Sequence, residues 1–60
     1  MTIDKIKHYM NAQLFEFWTR QTDRAQIERA RTQLTSEIEA GILKGVEFRA
    51  ELHLLNHLLS

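Results

Sequence analysis

Apolar residues recur at spacings of three and four through the first third of the chain. Ile3, Ile6, Met10, Leu14, Phe17 and Trp18 fill an arc of roughly 120° when wound at 100° per residue. Asp4, Lys5, His8, Asn11, Glu16 and Arg20 lie mostly outside that arc. The pattern predicts an amphipathic helix over about 3–20. Thr2 is placed to cap it, and Asp4 suits its positive end. Glu16 and Arg20 form an i,i+4 pair in the favoured order. The stripe then lapses over Thr19-Arg20-Gln21-Thr22-Asp23. Asp23 followed by Gln26 reads as a capping-box variant, so a short turn at 20–23 and a new helix are expected.

The second stripe is longer. Steps of seven from Ile27 give Leu34, Gly41, Phe48 and Leu55, and a series offset by four gives Arg31, Ile38, Gly45, Leu52 and Leu59. These are the two core positions of a heptad repeat, apolar or glycine everywhere except Arg31. The register is the same before and after the two glycines, whereas a break would be expected to rotate it. The favoured expectation is one helix over about 23–59, ~55 Å long. The alternative is a bend at 41–45, where glycine is a natural helix terminator.

A helical hairpin of this kind leaves half of its long helix uncovered. The first helix reaches ~27 Å. Beyond Ile42 the chain carries a second apolar face of Leu43, Val46, Ala50, Leu54 and Leu58. A helix apolar on two sides is buried on two sides. The expected solution is an antiparallel dimer, a four-helix bundle, with Ile38, Gly41, Gly45, Phe48, Leu52, Leu55 and Leu59 at the interface between chains; the alternatives are docking of this half on a different protein and a bent monomer whose third helix folds onto the first two.

Composition agrees with an all-α class. There is no proline and there are only two glycines, which favours helix. At 60 residues the chain is a single helical domain, 1–60. A chain of this size buries only ~60% of its unfolded surface and needs some further support. The absence of cysteine excludes disulfides and thiolate zinc. Formal charge is zero, against the basic excess of a strongly electrostatic nucleic-acid binder. The charge is uneven: residues 1–31 carry a net +2 and residues 32–60 a net −2, which suits antiparallel pairing. No apolar run is long enough to span a membrane, and the opening residues carry no apolar stretch of signal type. A cytoplasmic protein without membrane contact is expected.

Candidate chemistry is sparse. His53 and His57 stand one helical turn apart, a metal-ligating spacing, but Leu54, Leu55 and Asn56 lie between them and no third ligand is evident. Lys7, Asn11, Phe15 and Thr19 make a polar-aromatic ladder along one flank of the first helix, and Arg20 and Arg24 extend it into a basic turn. Lys7, Asn11, Phe15, Arg20 and Arg24 are therefore the candidate partner contacts. In type the pattern is similar to small plasmid copy-number regulators, antiparallel dimers of helical hairpins that bind RNA loops through one helix face. The turn here comes earlier, the second helix is longer and the core pattern differs. No catalytic triad, phosphate loop or shielded carboxylate pair occurs, and no cofactor is implied. The expected function is a small non-enzymatic interaction protein of adapter, regulator or inhibitor type, docking on a larger protein as a homodimer. The alternative is an RNA- or DNA-associated regulator.

Overall fold

The computed structural model describes all of residues 1–60 as four helices with no strand: α1 (Ile3–Tyr9), α2 (Ala12–Arg20), α3 (Arg24–Glu39) and α4 (Val46–Leu59). Each boundary has a local cause.

The expected helix over 3–20 is two helices. Thr2 caps α1 through its hydroxyl, which accepts from the Lys5 N–H at 3.3 Å. Met10 is extended, and Asn11 then opens α2 by accepting from the Gln13 and Leu14 N–H groups at 2.9 and 3.2 Å. Asparagine competes well for backbone donors at a helix start. Here that competition interrupts an apolar stripe that would otherwise be continuous. The interruption resets the phase: α1 buries Ile6, with Met10 just beyond its end, and α2 buries Trp18.

Asp23 caps α3 as expected, accepting from Ala25 N–H at 3.0 Å. The reciprocal bond comes from outside the helix. The Gln21 side chain, not Gln26, accepts from the Asp23 N–H at 3.1 Å.

The expected continuous helix over 23–59 stops at Glu39, at the place where the bend was the alternative. Gly41 adopts φ +74°. Its N–H donates to the Ile38 carbonyl and the Ile42 N–H to the Glu37 carbonyl, at 3.1 and 3.0 Å. This is a Schellman motif, which satisfies carbonyls that the helix end would leave unpaired. Gly45, at φ +129° and ψ 157°, starts α4. Unbroken register across the glycines therefore coexists with a chain reversal. The longest dimension of the molecule is 29 Å, about half of the ~55 Å that an unbroken helix would span.

α4 is the shared partner of the other three helices. It packs most extensively on α3, then on α1, then on α2. Its Ala50, Leu54 and Leu55 are completely buried. Within one chain, α3 on one side and α1 with α2 on the other thus cover most of both apolar faces of this segment, with Val46 left exposed. The expected single first helix, folded back along α3, is instead two short helices that both pack on α4. The accessible surface is 4362 Å², close to the ~4,100 Å² of a folded monomer of this mass.

Candidate functional site

The core offers no shielded chemistry. All nine buried side chains are apolar, and no buried side-chain nitrogen or oxygen lacks a partner. A side-chain hydrogen bond joins α2 to α4: Trp18 Nε1 donates to Glu51 Oε2 at 2.9 Å. It lies in an open groove of about 530 Å³ that Trp18, Leu34, Leu43, Phe48 and Glu51 help to line. Neither partner of this bond stands out in the sequence, because Glu51 reads as one more carboxylate of a polar face.

The ladder of the first helix is brought together and put to structural use. Asn11 is occupied as the α2 cap. The Lys7 ammonium lies 5.9 Å from the centre of the Phe15 ring, a cation–π contact across the α1–α2 break. Phe15 is half-buried against the core. The Thr19 hydroxyl donates to the Phe15 carbonyl at 2.9 Å. Arg20 pairs with Glu16 at 2.9 Å and Arg24 with Glu28 at 3.4 Å, all on exposed side chains. Arg24 also donates to the Leu59 carbonyl at 2.7 Å. A guanidinium there suits the negative end of α4.

The residues expected between chains occupy two settings. Leu55 and Leu59 are buried in their own chain, and Ile38, Phe48 and Leu52 pack half-buried against the same core. Gly41 and Gly45 lie in the exposed turn. His53 and His57 both face outward, and no cluster of three potential metal-binding side chains forms around them.

What remains exposed and apolar is a site the sequence pattern assigns to the core. Leu14 is 40% exposed and Phe17 52%. They stand one turn apart on the same flank of α2. Phe17 meets Trp18 edge to face, with ring centres 4.9 Å apart. Glu16, Arg20 and Gln21 border a shallow surface beside Phe17. The signal for this site is Asn11: recognised as a cap, it separates Leu14 and Phe17 from the phase of α1. A second exposed pair, Ile42 and Val46, sits at the α3–α4 turn.

No protein-family model matches the chain, and no curated protein and no solved structure matches it. No helix is long and apolar enough to cross a membrane.

Proposed function

We propose that this chain is a small non-enzymatic interaction protein, an adapter, regulator or inhibitor that docks on a larger protein and also pairs with a second copy of itself. The exposed Leu14–Phe17 flank of α2 carries the reading. Adjacent apolar side chains with a charged border are the anatomy of a small docking patch, and an aromatic anchor is a frequent source of binding energy in such patches.

Protein is favoured over nucleic acid because the basic and polar groups near this flank are already engaged. Lys7 lies over Phe15, Asn11 caps α2, and Arg20 and Arg24 are in ion pairs.

The test compares immobilised wild type with Leu14→Ser/Phe17→Ser for capture of binding proteins from cell extract. The expected result is one or more proteins retained from 50 to 200 mM salt and lost with the double variant, whose thermal melt stays close to wild type. Nucleic-acid binding would instead collapse over that salt range. Capture by the variant equal to that by wild type would remove the flank from the account.

A further inference from the structure

The turn between α3 and α4 carries two features that reversal of the chain does not require. Ile42 is 69% exposed, more than any other large apolar side chain. In a Schellman motif this position usually meets an apolar residue on the helix. Here the facing position is Glu37. The second feature is the heptad register, which runs unbroken through a segment that is not helical.

The pairing of α3 with α4 has a related symmetry. Arg24 reaches the Leu59 carbonyl. Leu34 and Phe48 are among the residues that line one groove, and Ile38 and Gly45 among those that line another. Arg24 with Leu59, Leu34 with Phe48 and Ile38 with Gly45 stand at mirror positions about a point at or beside Gly41 and Ile42. Two unbroken copies of this helix, crossing antiparallel at that point, would make the same pairs.

We infer that the chain dimerises by exchanging α4. Residues 40–45 become helical, α3 and α4 join into one helix over 24–59, and each α4 takes in the other chain the place it holds in its own. This rests on the homodimer part of the proposed function and gives it a geometry. The packing of α4 on α1, α2 and α3 is kept, now between chains, and the exchange gives up only the half-buried contact of Leu43 with the core. The new contact lies at the two-fold axis, where Ile42 meets the backbone of the partner's Gly41. Glycine permits that approach because it has no side chain.

The two glycines set the balance between closed and exchanged forms. Gly45 lies in a backbone region open essentially to glycine alone, and Gly41 is left-handed. Space is not the obstacle. A Cβ at Gly41 would come no nearer than 3.8 Å, to the Lys44 side chain, and one at Gly45 would meet only the carboxylate end of Glu47. Alanine at both positions strains the closed turn and favours helix, shifting the balance toward exchange by on the order of a thousandfold per chain.

The experiment is light scattering with far-ultraviolet circular dichroism on wild type and Gly41→Ala/Gly45→Ala. Wild type should be monomeric at micromolar concentration and yield a dimer fraction when refolded at millimolar concentration. The double variant should be dimeric already at micromolar concentration, with more helix than wild type. Three Gly/Ser residues inserted after Leu43 should keep the chain monomeric throughout, because a longer hinge removes the incentive to exchange. A monomeric double variant, folded or unfolded, overturns the exchange. If wild type still dimerises at millimolar concentration in that case, the exposed surface forms the dimer and only the exchange geometry fails. If wild type also stays monomeric, the homodimer reading fails with it.

Discussion

The α1–α2 arm and the α3–α4 hairpin begin from equally regular apolar stripes and end with different surfaces. In the hairpin the stripe is spent on the core. Ile27 and Leu34 from α3 and Ala50, Leu54, Leu55 and Leu59 from α4 are all buried. In the arm only Ile6, Met10 and Trp18 are buried, while Ile3, Leu14 and Phe17 stay exposed. The difference comes from where each stripe is cut. The cut at Gly41–Gly45 falls between two long segments and lets one fold onto the other. The cut at Met10–Asn11 leaves two short helices, each able to turn only a narrow edge toward α4. An apolar stripe thus specifies a core only over lengths between its interruptions, and the remainder becomes surface available to a partner.

If α4 supports both regions, the largest effect comes from its centre. Leu54→Ala should destabilise the whole molecule by about 3 kcal/mol, with α1–α2 and α3 unfolding in one urea transition. Separate transitions would show that arm and hairpin are independent.

The link between the regions comes next. Trp18→Phe removes the donor to Glu51 while keeping a ring in place, and should cost about 1–2 kcal/mol in chemical denaturation. Glu51→Gln keeps an acceptor and should cost less. A cost near zero for Glu51→Ala, with Trp18→Phe still costly, would mean that ring packing, not the hydrogen bond, joins α2 to α4.

A smaller effect tests the cut in the arm. Asn11→Ala should cost about 1 kcal/mol through loss of the α2 cap, read as faster amide exchange at Gln13 and Leu14 with little change in α3. The smallest effect belongs to the exposed flank. Phe17→Ser should change stability by less than about 1 kcal/mol. A larger loss would place Phe17 in the core and not at a docking surface.

Much of this contrast is legible in the residues, and the exceptions share a cause. The helical class, the turn before Asp23, the inward stripe of α3 and the two-sided burial of the last segment follow from periodicity. Periodicity is blind to where backbone hydrogen bonds prefer a side chain or a left-handed residue. Asn11 sits outside the apolar arc and reads as a partner contact on the polar-aromatic ladder, yet its amide oxygen takes two backbone donors. Gly41 and Gly45 occupy core positions of the heptad and read as seam residues, yet their positive φ angles end one helix and begin the next. The expectations of Leu14 and Phe17 in the core, and of one unbroken helix over 23–59, both follow from a periodicity that passes over these residues. The Trp18–Glu51 bond joins residues 33 apart in sequence, a pairing that no local spacing encodes.

The central claim is that the chain closes on itself through a non-helical turn, with α4 as the shared core helix. Native-state hydrogen exchange at micromolar concentration tests it most directly. Lys44 and Gly45 donate no backbone hydrogen bond, and their amides should exchange near the free-peptide rate. Those of Leu54 and Leu55 should exchange only through global unfolding. Protection at Lys44 and Gly45 equal to that at Leu54 and Leu55 would mean an unbroken helix through the turn and would contradict the closed fold.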